Sequence, residues 1–419
     1  MVLRKIRFTG MSDLGGVLME PLRVMDLFAG CGGFAEGFRS YAYNSTEIES
    51  AFESVAAVDI DGAALATFEA NHPSADAMCL DIEDFDPSPF VDRVDVITGG
   101  PPCQGFSGLG KGYWDDPRNS LWREYIRVVS TIQPRFFVME NVDRFQKSFE
   151  YEGLMEAVRP GGCLADYTLV AGLLNAADYG VAQARKRVIL IGTRRDLGAP
   201  VLLPVPTHTR DVSRTSDGLL LFDPTPLVQP WVSVDAIFDR SARLPIEGTE
   251  LPKRLSAAGV PGPFRTSELH IGRTPTALSL ARYRAIPPGG NRRHLSGQWA
   301  RIDGRECYLS TESWDKHHTG SADVMGRLWL GRPSVTIRTE FFKPEKGRYL
   351  HPKEHRPITH YEAALIQGFP EDYLWHGTKI GIAKQIGNAV PVGLARAIAR
   401  AIHERLEIGT GDPGCVAAR

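Results

Sequence analysis

Short apolar runs and stretches with helical spacing alternate along the first half of the chain. RVMDLF precedes GGFAEGFRSY, SVAAVDI precedes GAALATFEAN, VDVITGG precedes SLWREYIRVVSTI, and RFFVMENV precedes a helix around Leu154 to Val158. β-rich runs that each feed a helix predict an α/β doubly wound sheet with mainly parallel strands. DYTLVAGLL and RKRVILIGT then follow one another with only a short connection, which predicts an antiparallel pair closing the sheet. After Arg195 the period is lost in stretches such as LLPVPTHT, FDPTPLVQP and AIPPGGNRRHL, the texture of a second, smaller irregular domain. Order returns beyond Met325, where Leu394, Ala395, Ile398, Ile402 and Leu406 share one helical face and Pro391 sits at the first turn. The expected division is residues 1–200 plus 358–419 as one domain, with the last helix folding back, and 201–357 as the second domain and hinge.

Composition narrows the class. A chain of 419 residues with 43% hydrophobic and 23% charged positions can bury the cores of two or three domains of roughly 150 residues each. No apolar run approaches the roughly 18 residues of a membrane span, and the start lacks a signal-peptide pattern, so a cytoplasmic protein without a membrane partner is expected. Cysteines at 31, 79, 103, 163, 307 and 415 form no CxxC pair, which indicates neither a disulfide framework nor a metal site. The formal net charge of −2 hides two poles. Residues 40–100 carry 13 acidic side chains against one arginine, whereas residues 251–301 carry nine basic side chains against one glutamate. The basic stretch is a candidate phosphate-binding surface or an ordinary solvated face.

Two glycine-containing turns carry candidate chemistry. The first strand ends at Asp26 and runs into Phe28-Ala29-Gly30-Cys31-Gly32-Gly33, where backbone can approach a nucleotide and a helix N-terminus faces it. This turn alone fits a nicotinamide or an S-adenosylmethionine enzyme. Asp59, after the next strand, could hold ribose hydroxyls, and Asp81, after the third, an adenine amino group; either could equally cap a turn. The fourth strand ends in Gly99-Gly100-Pro101-Pro102-Cys103-Gln104-Gly105-Phe106-Ser107. Two prolines fix the backbone before a cysteine at the carboxyl edge of a parallel strand, a presentation geometry for a nucleophile. The glycines at 105, 108, 110 and 112 fit a closing lid.

DLFAGCGGF, GGPPCQGFS, Glu140-Asn141-Val142, LNAADYGVAQARKRV and QIGNAVP, in this order, resemble the motifs of the DNA cytosine-5 methyltransferase family. The resembling blocks cover roughly residues 24–195 and 327–395, and the stretch between them falls where that family carries its variable target-recognition region. The resemblance implies a Rossmann-like S-adenosylmethionine-dependent sheet, a monomer acting on double-stranded DNA, and the modification arm of a bacterial restriction system with a cognate endonuclease acting separately. It also implies a nucleoid-associated place in the cytoplasm through the substrate. A transfer-RNA methyltransferase and a catalytically silent DNA-binding homologue are the alternatives. A zinc deaminase is not, because Cys103 is followed by no second cysteine ligand.

Carbon 5 of cytosine is a poor nucleophile until a thiolate adds at carbon 6, and the resemblance gives that role to Cys103. It implies that Glu140 donates to ring nitrogen 3, that Arg187 reaches the cytosine carbonyl oxygen and orients Glu140, and that Arg185 meets the substrate backbone. Gln183, Arg185 and Arg187 alternate, which predicts one strand with the three on a shared face. The implied cofactor positions are Asp26, Phe28, Gly30, Gly32, Asp59, Ile60, Asp81, Ile82, Pro102, Leu121 and Asn388. Ile60 departs from the aromatic residue that several relatives carry. Gln104, Ser107, Arg282, Arg284, Arg292 and Arg293 are candidate DNA contacts.

Overall fold

The computed structural model describes residues 20–41, 50–102, 121–211, 228–256, 259–316 and 323–410. Its centre is a seven-stranded sheet built from β1 (Leu22–Leu27), β2 (Phe52–Asp59), β3 (Asp76–Cys79), β4 (Val96–Gly99), β5 (Phe136–Asn141), β6 (Tyr167–Asn175) and β8 (Lys186–Arg194). A two-residue strand, β7 (Gln183–Ala184), lies outside it. The order is β3-β2-β1-β4-β5-β8-β6; the first five strands are parallel, and β8 runs antiparallel to both β5 and β6. The antiparallel closing pair expected from the short connection is therefore present.

Helices α1 (Gly33–Arg39), α2 (Gly62–Asn71), α3 (Leu121–Ile132) and α4 (Phe149–Ala157) follow strands as the alternation predicts. Period-two side chains divide the sheet between two cores. Val24, Phe136, Val138 and Ile191 face one layer with α10 (Val392–Thr410), while Met25, Phe137, Met139 and Leu190 face α3 on the other. The apolar stripe read from the sequence, Leu394, Ala395, Ile398, Ile402 and Leu406, is buried throughout. Burial of its four large side chains stabilises by roughly 1.5–3 kcal/mol each. α10 can lie so close to α1 because Gly37 has no side chain: a Cβ there would stand 2.3 Å from the Cβ of Ala395 and 2.8 Å from the Val392 carbonyl oxygen.

The remaining elements are short: α5 (Asp235–Ser241), α6 (Ala277–Ala285), α7 (Glu312–Lys316), α8 (His360–Gln367) and α9 (Lys379–Asn388), joined by turns and strands of two to four residues. Val234, Phe238, Phe264 and Leu269 share a core with Tyr361, Ile366, Trp375, Ile382 and Ile386. Residues 358–389 thus pack on the middle region as well as on the sheet, and the core does not break at the expected boundary. A smaller cluster around Tyr283, Ile286, Leu295, Leu309 and Met325 forms the outer part of the middle region. Arginines brace it. Arg327 is buried and donates to the carbonyls of Tyr283, Ile286, His351 and Glu354. Arg348 lies 3.6 Å from the Trp329 ring centroid and donates to three carbonyls and Asp323.

Candidate active site

The strand order reverses between β1 and β4, so the crevice at their carboxyl ends is the place where such sheets bind ligands. On the β1 side, Phe28, Gly30 and Gly32 all adopt left-handed backbone (φ 54°, 55° and 85°), and Gly32 is the N-terminal cap of α1. A Cβ on Gly30 would meet nothing within 4 Å among the described residues, so none of them fills the space beside the turn. Asp59 closes its flank: Oδ2 accepts from the Gly30 N–H at 2.7 Å and Oδ1 from the Asp61 N–H at 2.8 Å. Asp26 is buried, with Oδ1 accepting from the Thr98 hydroxyl and Oδ2 without a partner among the described residues. Burial pushes its carboxyl up to about 7.

Phe28, Ile82 and Leu121 pack against the same apolar cluster on the α3 side. Ile60 projects 70% exposed beyond Asp59. Asp81 caps the short turn Ile82–Asp84, accepting from the Glu83 N–H at 3.1 Å, so it has the local role that competed with a ligand role in the sequence. Asn388 is the exposed last residue of α9, not a cap at the start of a helix. Just past it, the Val390 carbonyl oxygen would stand 2.6 Å from a Cβ on Gly33, which brings the QIGNAVP segment back onto α1. An open turn, a carboxylate at its flank and an unpartnered buried carboxylate oxygen fit a nucleoside cofactor that carries a positive charge.

On the β4 side, the strand leads through Gly100 to Pro101 and Pro102. Cys103, Gln104, Ser107 and the glycines of the expected lid lie outside the described residues. The neighbouring strand β5 reaches the turn that precedes Cys103 with two side chains. The Asn141 amide donates to the Pro101 carbonyl at 3.1 Å, and Glu140 Oε2 would stand 3.1 Å from a Cβ on Gly100. Asn141 therefore braces the proline turn rather than capping a helix. Glu140 is held from β8: Arg187 Nε lies 2.6 Å from Glu140 Oε1, with the two side chains 14% and 12% exposed. The expected pairing of Arg187 with Glu140 is present.

Arg185 requires a correction. The strand breaks between β7 and β8, and Arg185 does not share a strand face with Arg187. It is 3% exposed and donates to the Ile337 carbonyl at 2.8 Å. Burial, with a smaller contribution from the Arg187 charge, lowers its guanidinium to about 9. The likeness of the alternating polar residues to an ordinary strand concealed the break. Arg282 and Arg292 are also turned inward. Arg282 donates to the Leu309 carbonyl and lies over the Trp314 ring, and Arg292 donates to the Trp314 carbonyl. Arg284 and Arg293 are on the surface.

Other cations line a cleft of about 670 Å³ between Ala184 at the end of β7 and the segment 329–349. Arg210, Arg332, Arg338, Lys346 and Arg348 face it against one carboxylate, Asp323. Arg210, Arg332 and Arg338 have no carboxylate partner among the described residues. The charge count over residues 251–301 leaves out both Arg210, which precedes it, and the cations at 332–348, which follow it. Residues 326–349 hold six basic side chains against two glutamates, so a shorter sliding window contains the signal.

A doubly wound sheet with a proline turn at the switch point, braced by Asn141 and faced by a Glu–Arg pair, is the frame of an α/β enzyme that binds its ligands at the carboxyl ends of parallel strands. The family profile described as C-5 cytosine-specific DNA methylase matches residues 22–229 and 286–404, and the chain belongs to that family. It is a DNA cytosine-5 methyltransferase. It is 31% identical to the Type II methyltransferase M.DdeI of Desulfomicrobium norvegicum, over 91% of this chain and 88% of that one. It is likewise 31% identical to the Type II methyltransferase M.NgoPII of Neisseria gonorrhoeae, over 93% of this chain and 97% of that one. A solved E. coli prophage-encoded chain described as a DNA modification methyltransferase has the same fold, with a TM-score of 0.61 and 24% identity over 92% of this chain and 99% of that chain. No helix among the described residues is long and apolar enough to cross a membrane.

Proposed function

We propose that this enzyme transfers the methyl group of S-adenosylmethionine to carbon 5 of a cytosine rotated out of duplex DNA, and that it protects one DNA sequence against a separate restriction endonuclease. The observation that carries the site assignment is the Arg187–Glu140 pair at 2.6 Å, held against the Gly100–Pro101 turn that leads to Cys103. The Type II names of the two relatives support the protective role.

S-adenosylmethionine supplies an electrophilic methyl group. Phe28, Gly30, Asp59, Ile82 and Leu121 would hold it in the β1 crevice, with Asp59 favouring its positive charge. Cys103 adds to carbon 6 of the cytosine, which makes carbon 5 nucleophilic toward the methyl group; loss of the carbon 5 proton to a base and expulsion of the Cys103 thiolate from carbon 6 then restore the aromatic ring. Glu140 donates a proton to ring nitrogen 3 as negative charge develops there, and Arg187 keeps the carboxyl aimed at the ring edge. The base must leave the duplex stack to reach this crevice. The cations of the neighbouring cleft would grip the phosphates of the strand from which it swings. DNA containing 5-fluorocytosine, incubated with enzyme and S-adenosylmethionine, tests the route. A denaturation-resistant adduct that disappears in Cys103→Ser is expected, and no adduct in the wild type would overturn it.

A further inference from the structure

The three residues of the run Gln183-Ala184-Arg185 grip one backbone segment. Ser334–Val335 pairs in parallel with β7, and the Ser334 N–H donates to the Ala182 carbonyl at 2.8 Å. The Thr336 hydroxyl lies 3.3 Å from the Ala184 carbonyl oxygen. Beyond it, both polar groups of the Ile337 backbone are taken by side chains: its N–H donates to Gln183 Oε1 at 2.8 Å, and its carbonyl accepts from Arg185 at 2.8 Å. The next residue, Arg338, lines the cationic cleft and is exposed.

Gln183 continues the chain of bonds in the other direction. Its Nε2 donates to Gln367 Oε1 at 2.7 Å, and Gln367 Nε2 donates to the Ile386 carbonyl at 2.5 Å. Both glutamines are completely buried. Because the Ile386 carbonyl can only accept, it fixes the orientation of the Gln367 amide, which fixes Gln183, which leaves Gln183 Oε1 for Ile337. The bonds therefore run head to tail, each orientation depending on the next. At one end they hold the wall of the cleft. At the other they hold the α9 end that leads to Asn388. Two residues past Arg185 stands Arg187, paired with Glu140.

We propose that Gln183 and Gln367 are positioning residues that set the register between the DNA-holding segment 334–338 and the Glu140–Arg187 pair, so that a base displaced from duplex bound in the cleft arrives in line with Glu140. The inference rests on the DNA reading of the cleft. The relay is buried behind the cleft wall, and cutting it removes none of the cations Arg210, Arg332 and Arg338. Its loss therefore acts on delivery of the base and not on capture of the duplex.

The test is single-turnover methylation of plasmid DNA with Gln183→Met, Gln367→Met and the double variant, with DNA affinity and melting curves measured in parallel. Methionine keeps the volume without the amide. Each single variant is expected to melt cooperatively, to keep its DNA dissociation constant within about threefold and to lose at least about tenfold in single-turnover rate, as sub-ångström misplacement of reacting groups does. The double variant should be no slower than the slower single, because both cut one relay. Folded variants that methylate at the wild-type rate, that lose rate only in step with DNA affinity, or whose losses multiply would overturn the proposal. If the glutamine variants do not fold, Thr336→Val, which removes only the bond to Ala184 at the half-buried edge, should show a smaller fall in the same rate, and an unchanged rate there would overturn it. A wild-type protein that left DNA unmethylated would instead overturn the functional reading.

Discussion

Replacing Arg187 by methionine removes the guanidinium from Glu140 while keeping most of the side-chain volume. The pair is neither fully buried nor open, at 14% and 12% exposure. Breaking a buried pair costs about 3–5 kcal/mol and losing an exposed one less than about 1, so about 2 kcal/mol is expected here. For a chain of 419 residues that corresponds to a fall of about 2 °C in the melting midpoint. The same contact aims Glu140 at the ring edge. If its about 2 kcal/mol is also the orientation energy felt in the transition state, turnover falls about 30-fold. A double-mutant cycle with Glu140→Gln, read by urea unfolding and by single-turnover methylation, should give a coupling of about 1–2 kcal/mol in each. Additive single variants, or an Arg187→Met enzyme with wild-type turnover, would refute the pairing as the element that positions the carboxyl.

Gly37→Ala should destabilise the protein by roughly 1–3 kcal/mol in urea titration, because its methyl would meet Ala395 and the Val392 carbonyl at 2.3 and 2.8 Å; unchanged stability would contradict the tight α1–α10 contact. Asp26 holds its proton to about 7 in the fold, against an ordinary value of 3.8. The unfolded chain releases that proton first, so this group's contribution to stability is complete below about pH 4 and is lost as pH rises through about 7. Asp26→Asn should therefore melt higher than wild type at pH 8 but not at pH 4, and parallel pH profiles would count against the buried carboxyl. Arg332→Ala and Arg338→Ala should each reduce the salt slope of DNA affinity by about one. Arg282→Ala should lower the melting midpoint and leave that slope alone, and the reverse pattern would reassign the DNA surface.

The sheet was legible because short apolar runs alternate with helical segments, of which α3 shows a clear periodic face. The last helix was legible from its spacing: five positions marked the buried stripe, to which Val392, Ala399 and His403 also belong. The Glu140–Arg187 pair was expected only through the resemblance; in the fold, β5 and β8 are neighbours and carry the two charges at the same end of the sheet. The burial of Arg185 could not be expected, since one residue between β7 and β8 turns the chain and reverses the environment of the side chain. The middle region hid its organisation for a different reason. Its turns are held by guanidinium groups donating to carbonyls, as at Arg282, Arg292, Arg327 and Arg348, and such bonds leave no hydrophobic period. Counting charge located basic stretches, but it could not tell an arginine that faces phosphate from one spent inside the fold.

Bisulfite sequencing of a plasmid recovered from cells expressing the protein tests most directly that this crevice methylates carbon 5 of cytosine in DNA. The expected result is protection of one cytosine within a single recurring sequence on the wild-type plasmid, reduced in Glu140→Gln and absent in Cys103→Ser. Complete conversion of every cytosine on the wild-type plasmid, or undiminished protection by Cys103→Ser, would contradict it.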